Sequence, residues 1–264
     1  MIKIPFTKAH GARNDFLLTR AEDAPASDLA GLARAICDRH TGVGADGWLL
    51  VAREPGTHAA IRLFNSDGST AEMSGNGTRC AAAFLLGEGL EAQELSIRTG
   101  AGLKTLRLVA QSGLSYTFEM NMGRAEIRDL HFSLALWSGA RDTTILWVGN
   151  PQCAVPVENF DFDWRVVGAE IESHPHFPNR TNVSFVRPVD EHSVEVRFWE
   201  RGAGETMSSG TGSTGAAAAA VARGMVGSPV RVITPAGPLE LRLDDEIFLT
   251  GPAVLVGRGE FWLL

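Results

Sequence analysis

Residues 200–215 read Glu-Arg-Gly-Ala-Gly-Glu-Thr-Met-Ser-Ser-Gly-Thr-Gly-Ser-Thr-Gly and lead directly into an alanine run at 216–220. This order is typical of a charged strand end, a tight glycine loop and the first turn of a helix. Glycine lets the backbone approach a ligand closely, and the N–H groups at a helix start attract anions. The stretch therefore predicts a site for a carboxylate or phosphate at residues 210–212.

The same pattern occurs a second time in the chain. Residues 72–83 read Glu-Met-Ser-Gly-Asn-Gly-Thr-Arg-Cys-Ala-Ala-Ala, and residues 207–218 read Met-Ser-Ser-Gly-Thr-Gly-Ser-Thr-Gly-Ala-Ala-Ala. This alignment pairs Ser74 with Ser209, 135 positions later, and Asn14 precedes Asn150 by 136. A repeat at a fixed spacing indicates similarly built units.

We therefore predict two pseudo-symmetric halves at 1–122 and 123–264, with the last strand able to return to the first half. The chain is rich in strand patterns and poor in helices, which favours an α+β fold over a regular alternation of strands and helices. Each half is expected to be a strand layer wrapped around one central helix. Helices are predicted at 28–39 (with Ser27 as N-cap), 77–86, 163–172 and 212–222.

Composition narrows the functional classes. The net charge of −7 gives no basic surface for nucleic acid. The sequence contains no apolar run of the roughly 20 residues that a membrane helix needs, and its first residues lack a signal-peptide core. The three cysteines suggest neither a disulfide framework nor a zinc site. A cytoplasmic protein without membrane or nucleic-acid partners is the expectation.

Taken together, the motifs resemble those of the diaminopimelate epimerases over nearly the whole chain. Singly none is specific, but their joint order is. They are His10-Gly11, Asn14-Asp15-Phe16, Gly42-Val43-Gly44-Ala45-Asp46, Phe64-Asn65, Asp67-Gly68, Gly75-Asn76-Gly77, Arg79-Cys80, Gly149-Asn150-Pro151, Arg180-Thr181-Asn182, 200–206 and Gly210-Thr211-Gly212.

The resemblance implies a fold of two halves with the active site between them, and an isomerase that needs neither pyridoxal phosphate nor a metal. Its reaction would convert LL- to meso-diaminopimelate, a step towards lysine and peptidoglycan precursors. In the family's two-base mechanism, one thiolate removes the α-proton and a second thiol protonates the opposite face. The family often forms dimers, so a homodimer is the assembly that the resemblance suggests.

The resemblance also implies which residues form the site. The catalytic positions are Ser74, Ser209 and Glu200. The substrate-binding positions are Asn14, Asn65, Gly75, Asn76, Asn150, Asn182, Glu200, Arg201, Gly210 and Thr211. Backbone N–H groups at the two helix starts would hold the reacting carboxylate, and Arg201 suits a distal carboxylate of the substrate. Glu200 and Arg201 could instead form a structural ion pair.

The sequence departs from the family at the positions that carry the chemistry. Serine occupies both thiol positions, at Ser74 and Ser209, and Gln152 stands where the family commonly has histidine. A serine hydroxyl is a poor base unless a neighbour activates it. Cys80 and Cys153 lie outside the matching positions and are expected to be small buried residues.

Three explanations of the serines stay open. They could have been engineered to trap a ligand in an active epimerase. They could mark a natural branch that still isomerises an amino acid, with a carboxylate assisting a serine or serving as the base; the candidates are Asp67, Glu72, Glu200 and Glu205. They could belong to a catalytically silent amino-acid-binding protein. A related isomerase of the phenazine-biosynthesis type, which uses a carboxylate base, is a further alternative. We favour the natural branch, because both serines and Gln152 differ together while the binding loops are kept.

Overall fold

The computed structural model describes residues 2–26 and 28–263. The chain forms two compact units. The first unit comprises the residues up to Met120 together with those from Gly251 onward, and the second comprises Asn121–Thr250. Within the described residues, no helix is both long enough and apolar enough to cross a membrane.

The first unit is a strand layer around one helix. Its elements are β1 (Ile2–Gly11), β2 (Asn14–Arg20), a 3-10 turn (Ala21–Asp23), α1 (Leu29–Cys37), β3 (Gly47–Ala52), β4 (Ala59–Asn65), β5 (Thr70–Ala71), α2 (Gly75–Gly87), β6 (Glu94–Thr99), β7 (Gly102–Ser112) and β8 (Ser115–Gly123), with the chain leaving the unit after Met120. Strands β1, β2, β3, β4 and β6 all pack against α2, which is buried over residues 75–85. Helix α2 is therefore the centre of this unit.

The second unit has the same construction. Its elements are β9 (Glu126–Leu134), β10 (Arg141–Trp147), β11 (Pro151–Pro156), α3 (Trp164–Glu172), β12 (Asn182–Asp190), β13 (Ser193–Glu200), β14 (Gly204–Thr206), α4 (Gly210–Ala222), β15 (Val230–Thr234), β16 (Gly237–Leu243) and the first residues of β17 (Ile247–Leu263). Strands β10, β11, β12, β13, β15 and β16 pack against α4. From Gly251 onward β17 belongs to the first unit, where its end pairs antiparallel with β1 from Ile2 to His10.

The strand pairings repeat between the two units in order and in direction. In the first unit, β2 pairs in parallel with β3 and β4 in parallel with β6. In the second, the corresponding parallel pairs are β11 with β12 and β13 with β15. The hairpins β1–β2, β3–β4 and β6–β7 recur as β10–β11, β12–β13 and β15–β16. The predicted α+β class, with two pseudo-symmetric halves around central helices, is confirmed.

Both central helices begin two residues earlier than the sequence pattern predicted. Helix α2 starts at Gly75 and α4 at Gly210, rather than at residues 77 and 212. The cause is a serine cap before each helix, whose side chain takes up an N–H group of the first turn. The sequence pattern alone predicts a loop at these glycines, because glycine adopts loop conformations readily.

Helix α1 is shorter than the predicted 28–39. Its cap is Asp28, whose carboxylate accepts a hydrogen bond from the Gly31 N–H at 3.0 Å. The predicted cap, Ser27, lies outside the described residues. Asp28 serves the same purpose as a serine cap, since a short side-chain oxygen acceptor is what this position requires.

Small side chains allow the strands to surround each central helix closely. The alanines at 216–220 of α4 are all buried, and a helix that is apolar on every side is typical of a core position. Cys80 in α2 and Cys153 in β11 are free thiols with no exposed surface. Burial raises the pKa of both thiols to about 12, so neither is ionised near neutral pH. Their predicted role as buried small residues is confirmed.

Candidate active site

In the first unit, Ser74 is engaged as the cap of α2. It has an extended backbone (φ −132°, ψ 120°), and its Oγ accepts a hydrogen bond from the Gly77 N–H at 3.0 Å. Its carbonyl oxygen accepts hydrogen bonds from the N–H and the hydroxyl of Thr78, each at 2.8 Å. Among the described residues, no carboxyl, imidazole or amine group is hydrogen-bonded to Ser74.

The first turn of α2 offers an anion-binding position. The first N–H groups of a helix have no acceptor within the helix, and the cap satisfies only the one from Gly77. This leaves the N–H groups of Gly75 and Asn76 available for an external acceptor. Asn76 is 2% exposed, so an anion bound here would be largely removed from water, where such hydrogen bonds are stronger.

A chain of hydrogen bonds fixes the orientation of the Asn76 side chain. Its Nδ2 donates to Oδ1 of Asn14 at 3.3 Å, and its Oδ1 accepts from the guanidinium of Arg79. Nε of Arg79 also donates to the Pro252 carbonyl at 3.1 Å. Arg79 is fully buried, and burial lowers the pKa of its guanidinium to about 10. Its Nη1 has no partner among the described residues.

Arg79 is a buried charge with incomplete hydrogen bonding, so replacing it tests whether the charge itself stabilises the first unit. Arg79→Met is expected to leave the free energy of unfolding unchanged within about 1 kcal/mol or to raise it, since apolar replacements of buried charges are often neutral or stabilising. Arg79→Ala leaves a cavity and is expected to lower it by about 2–5 kcal/mol. Urea denaturation of both variants measures the difference. An equal loss in both would show that the charge itself stabilises the unit.

The amide of Asn14 is oriented from its other side by a charged cluster. Its Nδ2 donates to Oδ2 of Asp46 at 2.7 Å, and Nη2 of Arg39 bridges Asp46 and Asp15 at 2.8 and 2.7 Å. Burial alone would raise the pKa of Asp15, but hydrogen bonds and charge from Arg39 and Lys8 outweigh it and lower the pKa. Asp15 therefore stays ionised and keeps the cluster in place.

Asn65 and Asp67 are used in the turn that follows β4. Nδ2 of Asn65 donates to Oγ of Ser69 at 2.9 Å. Oδ1 of Asp67 accepts from the hydroxyl and the N–H of Ser69 at 2.6 and 2.8 Å, and these bonds lower the pKa of Asp67. A carboxylate with a lowered pKa is a weak base, so Asp67 is not favoured as the base that the sequence left open.

In the second unit, Ser209 caps α4 with nearly the same geometry as Ser74. Its backbone is extended (φ −135°, ψ 125°), and its Oγ accepts from the Gly212 N–H at 3.1 Å. The N–H groups of Gly210 and Thr211 are left available in the first turn, as in the first unit. Ser209 is 5% exposed and Thr211 8%.

Ser209 differs from Ser74 in having a carboxylate as a partner. Its hydroxyl donates to Oε2 of Glu200 at 3.0 Å, and the hydroxyl of Thr206 donates to Oε1 at 2.6 Å. Burial raises the pKa of Glu200, against the lowering effect of these two hydroxyl bonds. A serine that is hydrogen-bonded to a carboxylate with a raised pKa can take part in proton transfer.

The hydroxyl of Thr206 is expected to tune this carboxylate. In Thr206→Val the ionised form of Glu200 loses one hydrogen bond, so the pKa should rise further above its ordinary value. Thr206→Ser keeps the hydroxyl and serves as the matched control. NMR titration of the Glu200 carboxyl carbon measures both. A pKa that falls in the valine variant would contradict this account.

The raised pKa of Glu200 also fixes a direction for stability. The folded state then holds the proton more tightly than the unfolded state. The contribution of Glu200 to stability is therefore fully present below its ordinary pKa, and it is lost as the pH rises through the folded value.

The remaining predicted residues of the second unit form two short networks. Gln152, 2% exposed, donates to Oδ1 of Asn150 at 2.7 Å, and Nδ2 of Asn150 donates to Oγ1 of Thr211 at 3.3 Å. Asn182 donates to the Pro151 carbonyl at 3.0 Å and accepts from the Arg201 N–H at 3.0 Å. Asn150 thus lies beside the helix start, while Asn182 holds backbone in position.

Arg201 is exposed and does not pair with Glu200, so the alternative of a structural ion pair is wrong. Its Nη1 donates to the Asn179 carbonyl at 3.3 Å. Glu205 forms a two-bond ion pair with Arg165 at 2.6 and 2.8 Å. Among the carboxylates that the sequence left open, Glu200 is the one hydrogen-bonded to a helix-capping serine within the described residues.

Three contributors were not assigned roles by sequence reasoning. Thr206 lies six positions from Glu200, and only the hairpin β13–β14 brings its hydroxyl to the carboxylate. Arg79 and Asp46 were recognised as motif members, yet their contacts to Asn76 and Asn14 depend on the fold. Within the described residues, no group of three or more His, Cys, Asp or Glu side chains is arranged to hold a metal ion.

Two solved structures have the same fold over nearly the whole chain. A hydroxyproline epimerase from Agrobacterium vitis superimposes with a TM-score of 0.74 at 17% identity, covering 98% of this chain and 92% of that chain. A phenazine biosynthesis protein of the PhzF family from Bacillus anthracis gives a TM-score of 0.74 at 16% identity and covers all of both chains. At this identity the likeness establishes the fold.

Comparison with known sequences establishes the family as well as the fold. A family model described as diaminopimelate epimerase matches residues 6–127 and 144–256. The diaminopimelate epimerase of Pelotomaculum thermopropionicum is 38% identical over 274 residues, which cover 97% of this chain and 98% of that protein. The repeated fold, the two capped helices and these matches define a cofactor-independent isomerase. The chain belongs to the diaminopimelate epimerase family.

Proposed function

We propose that this chain transfers a proton at the α-carbon of diaminopimelate, interconverting the LL and meso forms in the synthesis of lysine and peptidoglycan precursors. The observation that carries the proposal is the hydrogen bond from Ser209 to Glu200 at the start of α4. It supplies what a serine in place of a thiol needs, which is a neighbouring base.

Binding of the substrate is assigned to the helix starts. The first turn of α2 offers the N–H groups of Gly75 and Asn76 to carboxylate oxygens. The first turn of α4 offers those of Gly210 and Thr211. The same groups stabilise the extra negative charge that develops when the α-proton leaves.

The side chains of Asn14, Asn65, Asn150 and Asn182 shape the surroundings of the bound amino acid. Exposed Arg201 is proposed to pair with the distal carboxylate.

Proton removal uses Glu200 and Ser209 together. The α-carbon–hydrogen bond breaks and leaves its electron pair on carbon, delocalised into the adjacent carboxylate. The proton passes to Oγ of Ser209 while the Ser209 hydroxyl proton passes to Oε2 of Glu200. For inversion, the opposite face of the carbon takes a proton that derives from solvent, and Glu200 releases the proton that it holds to solvent. The carboxylate is then ionised again, and the cycle consumes neither oxidant nor reductant.

Solvent exchange tests this proposal directly. LL-diaminopimelate is incubated with the protein in D₂O, and the α-proton signal is followed by NMR. Loss of that signal, faster than in a sample without protein, is expected. A folded sample that leaves the α-proton in place on both LL- and meso-diaminopimelate would overturn the proposal.

A second candidate is a catalytically silent amino-acid-binding protein. It is favoured by Ser74, which is bonded only to its own helix and to no titratable group within the described residues. This candidate predicts that diaminopimelate or another amino acid raises the unfolding temperature while no deuterium enters the ligand. A related isomerase that uses Glu200 as its carboxylate base predicts exchange with a different product. We further propose a homodimer on family resemblance, which light scattering would show as twice the chain mass.

A further inference from the structure

The two capping serines occupy equivalent places in the repeat. Each precedes the central helix of its unit, and their backbone angles agree within 5°. Each accepts a hydrogen bond from the N–H three residues later, at 3.0 and 3.1 Å. If equivalence of backbone were sufficient, Ser74 and Ser209 would be equally able to handle a proton.

The side chains around the two serines are not equivalent. Glu200 ends β13, and the residue 135 positions earlier is Asn65, which ends β4. Thr206 ends β14, and its counterpart at the same offset is Ala71, which ends β5. The second unit therefore has a carboxylate and a hydroxyl where the first has an amide and a methyl group.

The contacts follow this difference. Glu200 accepts from both Ser209 and Thr206. Asn65 instead donates to Ser69 at 2.9 Å and makes no hydrogen bond with Ser74. An amide cannot accept a proton near neutral pH, and a methyl group cannot hold one in place. Both units therefore have the serine cap. Among the described residues, an acid–base group is hydrogen-bonded to that serine in the second unit alone.

We propose that the two serines are unequal in the reaction, with proton transfer at the α-carbon of the bound amino acid centred on Ser209 and Glu200. This inference rests on the proposed function and deepens it. Glu200, having received the α-proton through Ser209, returns a proton to the same face of the carbanion faster than the opposite face is protonated. Exchange of the Glu200 proton with solvent between these two steps places deuterium on carbon with retention of configuration. Inversion is then the slower event.

The test separates exchange from inversion. LL- and meso-diaminopimelate are each incubated in D₂O, and the stereoisomers are then separated on a chiral column. Mass spectrometry measures α-deuterium in recovered substrate and in product. For one starting isomer, label in the recovered substrate is expected to exceed product formation at least tenfold during the initial phase. Equal rates of exchange and inversion from both isomers would overturn the inference. An absence of label from both pools would overturn the proposed function instead.

Two matched variants locate the difference. Ser74→Ala and Ser209→Ala each remove one helix cap of the same geometry, so thermal unfolding is expected to show similar losses of stability. Only Ser209→Ala also removes a contact to Glu200. Its loss of α-proton exchange is expected to be at least tenfold greater than that of Ser74→Ala. Equal losses at equal stability would contradict a one-sided site.

A titratable group can also be introduced at position 74. Ser74→Cys gives the helix start of the first unit a titratable thiol, and a helix start favours its ionised form. The ratio of inversion to exchange is expected to rise at least fivefold relative to the unaltered protein. An unchanged ratio in a folded variant with measurable exchange would mean that the lack of a titratable group at position 74 is not what limits inversion.

Discussion

Replacing Glu200 with glutamine is expected to lower α-proton exchange by about 10²–10⁴-fold, the usual contribution of a positioned acid–base group. Glutamine keeps the shape and can still accept a hydrogen bond from Ser209, but it cannot accept the proton. Binding should change less, because the helix N–H groups that hold the carboxylate are unaltered. Exchange kinetics in D₂O, with calorimetry for affinity, measure the two effects separately.

Glu205→Gln is the matched control for this variant. Glu205 stands five positions later in the same motif, but it is exposed and paired with Arg165. Its loss removes a surface ion pair, which contributes little to stability, and should leave the exchange rate within about twofold. If Glu200→Gln retains full exchange, or if Glu205→Gln is the variant that loses it, the assignment of the base is wrong.

Placing cysteine at both capping positions is expected to raise the rate of inversion on the order of 100-fold, the lower part of the range for general acid–base catalysis. A thiol at a helix start has a lowered pKa, commonly about 3.5–7.5, so a useful fraction is ionised near neutral pH. The caps remain occupied, although sulfur is a weaker hydrogen-bond acceptor than oxygen. The Ser74→Cys, Ser209→Cys double variant is assayed for conversion of LL- to meso-diaminopimelate.

Ser208→Cys controls for the mere addition of a thiol near α4. Ser208 is 4% exposed and directly precedes the cap, yet its Oγ has no partner among the described residues. No gain is expected from it. A double variant that folds, binds diaminopimelate and still fails to invert it would show that the chain has departed from its family in more than the two serines.

Prediction from the sequence succeeded where the signal was a repeat. The alignment of Ser74 with Ser209 was sufficient to anticipate two similarly built units with a helix at the centre of each. The predicted starts of α2 and α4 are two residues too late. A glycine in the sequence does not show whether the serine before it caps the helix. Whether a serine caps a helix depends on the backbone conformation of that serine, and the fold determines this conformation.

The side-chain contacts were harder to predict for a related reason. Glu72, Glu200 and Glu205 all lie close to a capping serine in sequence, and their residue type does not distinguish them. The hairpin of β13 and β14 aligns Phe198 with Thr206 and brings the latter's hydroxyl to Glu200. Glu205, one residue earlier and on the opposite face of the strand, is directed to Arg165 instead, as the alternation of side chains along a strand requires.

The path of the final strand affects the order in which the protein can be completed during synthesis. β1 lies between β2 and the end of β17, and its residues Ile2 to His10 pair with residues 254–263. On the ribosome, the residues that begin the first unit therefore emerge long before their last partners. The second unit, Asn121–Thr250, is complete in sequence earlier, although it starts later. Until β17 has been made, one edge of β1 has unpaired N–H and C=O groups. Such an edge can pair with strands from other chains. Before β17 has been made, nascent chains are thus open to aggregation, or to protection by a chaperone, along this edge.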